Sequence, residues 1–391
     1  MSGVAIVGAA ETDRIGSVPD RSALELAVEA GRRALADAGL GAAAIDGVAG
    51  ASVPQQVAYA LGIEPRWIDT TNVGGCSFLA HVRHAAAAIH AGYASTVLIT
   101  HGESGRSRVG TPPRPPDPAS LTGQFEAPYG ARAPFTRFTL PALRYMKTYG
   151  LTGEHLAAVA VAQRRWAARN PRAMRREPLT VAGVLASPLV AYPFHRPECC
   201  LVTDGGGALV VSAAERAGDA ARAVRVLGTG ESLEAPLVAG MADFTSSAAA
   251  RRAAADAFGE AGLTPADVDH VMCYDAFAHL PMVGLESMGF LEPGAAGGFY
   301  AGGCASPGGT LPVNTNGGGL SYTHTGMYGM FAIQEAVRQL RGEAAAQVPG
   351  VEVSTVLGFG GMFAAAAVLV LARWGERPSG SLDRATAARV P

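Results

Sequence analysis

The sequence predicts an α/β protein of two related halves, each a mostly parallel sheet with helices on its faces. Three observations predict it. Ala38-Gly39-Leu40 leads through Ala43 and Ile45 to Asp46 and Val48, and Ala261-Gly262-Leu263 leads through Ala266 and Val268 to Asp269 and Val271, at a constant offset of 223 positions. Ser95-Thr96-Val97-Leu98 then recurs, in the same order along the chain, as Ser354-Thr355-Val356-Leu357. Between each pair lies a small-residue turn that opens an alanine-rich helix, carrying Cys76 in the first half and His324 in the second. Strands alternating with helices pack as a sheet covered by helices. Two copies, each offering one reactive side chain at a helix start, predict helices that meet in the middle around one shared site.

The elements follow in order. Val4 to Val7 is a short apolar strand. Residues 21–38 are a helix, with Leu24, Ala27, Ala30 and Ala34 at helical spacing and Gly39 at its C-terminal end. Ile45 to Val53 reads as a strand, Ser77 to Ala91 as a helix closed by Gly92, and Thr96 to Thr100 as a strand. From Glu103 the pattern breaks, with Thr111-Pro112-Pro113-Arg114-Pro115-Pro116 followed by Pro118, Pro128, Pro134 and Pro141. This insertion, taken to span about 103–195, is expected to cover a site. Thr152-Gly153-Glu154 starts a helix that runs to Asn170, and Ala208 to Ser212 is a buried strand. The second half, 223–375, brings a helix at Ala248 to Ala261, a strand at Val271 to Tyr274, a helix from Gly326 to Leu340 and a closing hairpin from Val353 to Leu371. Residues 1–222 form the first half, and 376–391 read as a frayed tail.

Composition narrows the function. Hydrophobic residues make up 49% of 391 and charged residues 16%, which leaves apolar surface to be covered and predicts a homodimer. A net charge of −2 with no basic run argues against nucleic acid and anionic membranes as partners. The longest apolar run, Phe363 to Ala372, is about half of a membrane span, and the N-terminus lacks the pattern of a secretory signal. Five cysteines (Cys76, Cys199, Cys200, Cys273 and Cys304) have no ligand spacing and no disulfide framework. The expectation is a cytoplasmic, reduced protein with no metal and no cofactor.

Three blocks of sequence resemble the thiolase superfamily, most closely its sterol-carrier-protein-2-type branch. Val73-Gly74-Gly75-Cys76-Ser77 is similar to the nucleophilic-cysteine elbow, and Tyr274-Asp275-Ala276-Phe277 stands in the place of an Asn-Glu-Ala-Phe or His-Asp-Cys-Phe block. Asn314 through His324, followed by Gln339-Leu340-Arg341-Gly342, resembles the catalytic-histidine loop and helix. The resemblance implies a five-layered αβαβα fold built from two βαβαβαββ halves. It implies an acyl-CoA or acyl-carrier thioester as substrate, and a small OB-fold, zinc-ribbon protein as a possible partner.

On this resemblance the catalytic residues are Cys76 as nucleophile, His324 and Tyr274 polarising the thioester carbonyl, and the Gly360 backbone N–H beside them. Tyr322, Tyr328, Asn316 and Gly358 are assigned to substrate binding. A helix N-terminus is expected to favour the Cys76 thiolate. His324 is followed by Thr325 where the family has proline, so a less rigid loop is expected. Gly358 and Ala276 occupy the two places where the family carries a second thiol. The leading reading is an acyltransferase that loads Cys76 and passes the acyl group to a carbon nucleophile or CoA. One alternative is a tyrosine-dependent retro-aldolase that cleaves a β-hydroxyacyl-CoA. Another is a degenerate scaffold that binds acyl-CoA or lipid.

Overall fold

The computed structural model describes residues 3–110, 117–131, 134–216 and 222–375; the run 111–116 and the tail 376–391 lie outside the described residues. The first half runs through β1 (Val4–Glu11), α1 (Ala23–Asp37), β2 (Gly47–Ala49), α2 (Pro54–Leu61), β3 (Trp67–Asp69), α3 (Ser77–His90) and β4 (Thr96–Ser104). The insertion holds α4 (Leu121–Phe125), α5 (Pro134–Tyr149), α6 (Gly153–Ala167), α7 (Val181–Leu185) and a small hairpin of β5 (Leu189–Ala191) and β6 (Phe194–His195). β7 (Asp204–Ala213) returns to the main sheet. The second half runs through β8 (Val224–Leu233), α8 (Ala248–Ala261), β9 (His270–Cys273), α9 (His279–Ser287), α10 (Ala296–Ala301), α11 (Gly318–Ser321), α12 (Gly329–Arg341), β10 (Val353–Gly360) and β11 (Ala365–Arg373).

The repeated residues do the same work in both halves. α1 starts at a capping box between Ser22 and Glu25, and α8 starts at a cap from Ser247 to the Ala250 N–H. The Asp46 carboxylate accepts the N–H groups of Ser95 and Thr96 at 2.7 and 2.9 Å, pinning the start of β4. Asp269 likewise accepts from Glu352 and Val353, both at 3.0 Å, at the start of β10. The alanine and glycine content has a packing reason. A Cβ on Gly228 or Gly230 would come within 1.9 Å of the carbonyls of Ala257 and Ala253, so α8 lies with its backbone directly on β8.

The main sheet has nine strands in the order β3-β2-β4-β7-β1-β8-β11-β10-β9. The expectation of a mostly parallel sheet needs correction. Pairing is parallel only toward the two ends, at β2–β3, β2–β4 and β9–β10, and antiparallel through the middle. The last strand of each half, β7 or β11, comes back antiparallel between its neighbours, and β11 does so through the tight turn at 361–363. The halves also join, because β1 and β8 pair over Ala5↔Arg225 and Ile6↔Val224. α1 packs on β1, β4 and β7, and α8 packs on β8 and β11. α3 and α12 touch each other and strands of both halves, which makes them the middle of five layers. The insertion is more regular than its prolines suggest. α5 buries Phe138, Pro141, Ala142, Tyr145 and Met146, a helical stripe that Pro141 sits within.

His84 of α3 ties the two halves together. Its Nδ1 lies 2.7 Å from Asp69 at the end of β3, and its Nε2 lies 3.0 Å from Glu231 of β8. The two carboxylates raise its pKa to about 9. A histidine raised in the folded state stabilises fully below its unfolded pKa of about 6.5. That contribution is lost as pH climbs through about 9. Thermal melts are expected to show stability falling by on the order of 1 kcal/mol between neutral pH and pH 10, the pair being partly screened by solvent. His84→Gln should flatten that slope, and an unchanged slope in the variant would refute the assignment.

Candidate active site

A cavity of about 520 Å³ opens where the two halves and the insertion meet. The first half supplies residues 72–75 from the turn before α3, with Glu103 and Gly105 from the end of β4. The insertion supplies Pro134 and Phe138 of α5, and the segment before β7 supplies residues 200–203. The second half supplies Tyr274, Ala276 and Phe277 after β9, residues 324–326, and the turn from Phe359 to Phe363. Much of the wall is aromatic: the rings of Phe138 and Phe277 are 4.8 Å apart, and those of Phe359 and Phe363 are 5.3 Å apart.

Tyr274 and His324 form the polar centre of this cavity. The Tyr274 hydroxyl lies 3.0 Å from His324 Nε2 and 3.4 Å from the Gly326 carbonyl. The Gly326 N–H donates to His324 Nδ1 at 3.2 Å. That bond assigns the proton of the neutral ring to Nε2, which then donates to the tyrosine oxygen. Burial pushes His324 down to about 4, so the ring is neutral at physiological pH. Burial also pushes the Tyr274 hydroxyl well above its ordinary value, so the phenol keeps its proton.

The loop that carries His324 is held on all sides. The His324 N–H donates to Thr203 Oγ1 at 3.0 Å, and that hydroxyl pairs with Thr323 at 2.8 Å. Thr325 bonds the buried His101 ring at 2.6 Å. The expected loss of rigidity at Thr325 is therefore offset by a hydrogen bond that proline could not make. Tyr328 stacks beside His324 at 6.4 Å with its plane tilted by only 9°, and its hydroxyl donates to Asn316 Oδ1 at 2.7 Å. Behind Tyr274, the Asp275 carboxylate accepts the N–H groups of Gly319 and Leu320. Burial raises Asp275 to about 7.

Several expected site residues lie elsewhere. Cys76 is the N-cap of α3, as expected, but it does not line this cavity. It lines a second cavity of about 290 Å³ with His84 and Glu231, and its thiol contacts the Val73 carbonyl at 3.6 Å and lies beside Gly360. The expected thiolate stabilisation is not met, because burial raises the thiol to about 12. The residue that faces Tyr274 is Gly75: a Cβ built there would lie 2.2 Å from Tyr274 Cε2. His324 does not open a helix either, since α12 begins at Gly329. Tyr322 is turned away, its hydroxyl bonded to Glu11 in a cluster with Arg338 and Arg172. Asn316 and Tyr328 buttress the Tyr274–His324 pair without lining the cavity. Gly358 packs against the backbone of Cys76, where a Cβ would meet Cys76 Cα at 2.8 Å. Gly360 does line the cavity, beside Gly74 and Gly75.

Sequence reasoning missed Gly75, Glu103, Thr203 and the aromatic wall. Gly75 sat inside the recognised block and was read only as a turn residue. The wall comes from three distant segments with no shared pattern.

Two pseudo-symmetric α/β halves in five layers, with a helix elbow of one facing a histidine loop of the other, define a thiolase-type fold and site. The family model described as "Thiolase C-terminal domain-like" matches residues 230–373. The 17-hydroxy-3-oxo-4-pregnene-20-carboxyl-CoA lyase of Mycobacterium tuberculosis is 36% identical over 371 residues, covering 89% of this chain and 94% of the relative. The steroid side-chain-cleaving aldolase of Thermomonospora curvata is 33% identical over 371 residues, covering 90% and 93%. Among solved structures, an Ltp2-ChsH2(DUF35) aldolase matches with a TM-score of 0.89 at 30% identity, over 96% of this chain and 98% of that one. The chain belongs to the thiolase superfamily, in its sterol-carrier-protein-2-thiolase-like branch. Among the described residues, no helix is long and apolar enough to cross a membrane.

Proposed function

We propose that this protein is a retro-aldolase that cleaves a β-hydroxyacyl-CoA with a bulky apolar body, in preference to the acyltransferase first expected. One observation carries the reading. The elbow presents Gly75 to the cavity and Tyr274 fills the space beyond it, while Cys76 lines a neighbouring cavity behind Val73 and Gly360. An acyl-enzyme needs a nucleophile beside the thioester carbonyl, and that place holds a phenol. The aromatic wall suits a ring system, and both curated relatives described above carry names for steroid side-chain or steroidal acyl-CoA cleavage.

The chemistry is balanced without a covalent intermediate. A base takes the β-hydroxyl proton, the bond between the α- and β-carbons breaks, and the hydroxyl oxygen becomes a carbonyl. The electron pair passes into a thioester enolate, which then takes a proton at the α-carbon. The Tyr274 O–H donates to the thioester oxygen as it gains charge. The His324 Nε2–H donates in turn to the tyrosine oxygen, so the two bonds polarise one another. CoA enters as part of the substrate, and the reading calls for no metal or other cofactor. The exposed Ile68 and Tyr93 beside edge strand β3 support a homodimer. The name of the solved aldolase, which joins two components, supports a partner subunit. A small OB-fold, zinc-ribbon protein that presents the CoA is that partner in this proposal, and the cytoplasm is the compartment.

The test uses the substrate in the name of the mycobacterial relative, 17-hydroxy-3-oxo-4-pregnene-20-carboxyl-CoA. The expected products are a ring ketone and a shorter acyl-CoA. Cys76→Ala should keep kcat within about threefold. An acetyl adduct on Cys76 after acetyl-CoA, together with an inactive Cys76→Ala, would restore the acyltransferase reading in its place.

A further inference from the structure

We propose that Glu103 is the general base of this site, taking the proton of the β-hydroxyl and returning it to the α-carbon. The inference rests on the retro-aldolase reading and extends it to a residue that reading leaves open. Retro-aldol cleavage cannot begin without a proton acceptor, and the described cavity lining offers few groups that can serve. The Asn72 side chain is occupied at both ends, accepting from the Gly74 N–H and donating to the Ala51 carbonyl. The hydroxyls of Thr203 and Thr325 are engaged with Thr323 and His101. The Tyr274 phenol keeps its proton, and His324 holds its ring proton on Nε2 while Nδ1 accepts from Gly326. Burial raises the Cys200 thiol, so it too stays protonated. Glu103 is the one carboxylate among the described lining residues. Among the described residues, no side-chain hydrogen bond or ion pair engages its carboxylate.

Its position has a structural cause. Glu103 stands near the end of β4, opposite Gly205 of β7, so the strand carries it to the rim of the sheet beside the cavity. Partial burial and the neighbouring charge of Asp204 both raise its pKa above the ordinary glutamate value. A carboxylate raised in this way is a stronger base than an ordinary glutamate. Asp204 of β7 is the charged group beside it, and the protonated Tyr274, the neutral His324 and the protonated Cys200 line the same cavity. His101 on its own strand is held neutral by burial. The proton balance closes on one residue. The hydroxyl proton moves to the Glu103 carboxylate as the carbon–carbon bond breaks. The same proton is then delivered to the α-carbon of the enolate, which regenerates the carboxylate.

The experiment compares wild type, Glu103→Gln and Glu103→Asp on 17-hydroxy-3-oxo-4-pregnene-20-carboxyl-CoA across pH 4 to 9, with thermal melts as a folding control. Glu103→Gln should lower kcat by about 10²- to 10⁴-fold with little change in KM. It should also erase the acid limb of the kcat profile, which a merely structural glutamate would not control. Glu103→Asp keeps a carboxylate and should retain that limb at reduced kcat. Asp275, which titrates near 7 behind the loop, is present in every variant. An acid limb that survives Glu103→Gln therefore belongs to another group, Asp275 or His324, and overturns the proposal, as does a kcat within about threefold of wild type. If wild type itself fails to cleave the thioester, the functional reading falls first, and the two failures are distinct.

Discussion

Tyr274→Phe is expected to lower kcat by about 10²- to 10³-fold, the usual effect of removing one donor to a developing oxyanion. The ring and its packing volume stay, so Tyr328 and the elbow keep their contacts. The hydroxyl is lost, and with it the 3.0 Å bond to His324 and the 3.4 Å contact with Gly326. Leaving the buried Nε2–H without a partner should cost about 1–2 kcal/mol of stability. The loss should fall on kcat more than on KM, because the bond strengthens only as the thioester oxygen gains charge. A stopped-assay measurement of acyl-CoA release gives kcat and KM, and a melt gives the stability change. Full turnover in Tyr274→Phe would reduce the tyrosine to filler and remove the reason for its pairing with His324.

Gly75→Ala should be as damaging, although it adds a single methyl group. The new Cβ would lie 2.2 Å from Tyr274 Cε2 and 2.5 Å from the Phe359 carbonyl. The carbonyl belongs to strand β10 and cannot swing aside, so the tyrosine ring must move. Overpacking of this kind typically costs about 1–3 kcal/mol. A displacement of about 1 Å at a reacting group costs on the order of 10²-fold in rate. Melting temperature and kcat are both expected to fall in Gly75→Ala, while Cys76→Ala one position away leaves kcat nearly unchanged. A Gly75→Ala variant with wild-type kcat would mean that Tyr274 does not need its present place. The pair of variants separates the two neighbours in the elbow, which the sequence alone cannot rank.

The architecture was legible because it is written in local and repeated signals. The helix at Ala248–Ala261 coincides with the alanine-rich stretch between Ser247 and Gly262, since capping and left-handed closure are set by residues adjacent in the chain. The strands Thr96–Ser104 and Val353–Gly360 follow the repeated Ser-Thr-Val-Leu, and the aspartates before them make equivalent bonds. Pairing direction was less legible, because β7 and β11 reach their neighbours through connections whose sense no local pattern records. The insertion was misjudged for a similar reason: proline count outweighed a stripe that is apolar at helical spacing.

The candidate site divides along the same line. The sequence by itself pointed to two reactive turns, one carrying Cys76 and one carrying His324, in matching places of two copies of one unit, and the family resemblance added Tyr274. It also determined that the second thiol of the family is absent at Gly358 and Ala276. Which side chain of the first block meets the second block was decided only in three dimensions. At the start of a helix successive residues point in directions roughly 100° apart. Adjacent positions can therefore line different cavities, and here Gly75 faces Tyr274 while Cys76 lines the cavity that His84 and Glu231 also border. Tertiary packing also decided the ionisation of the site. Cys76 keeps its proton and His324 stays neutral because burial disfavours their charged forms, and burial is a property of the whole fold rather than of any neighbour in sequence.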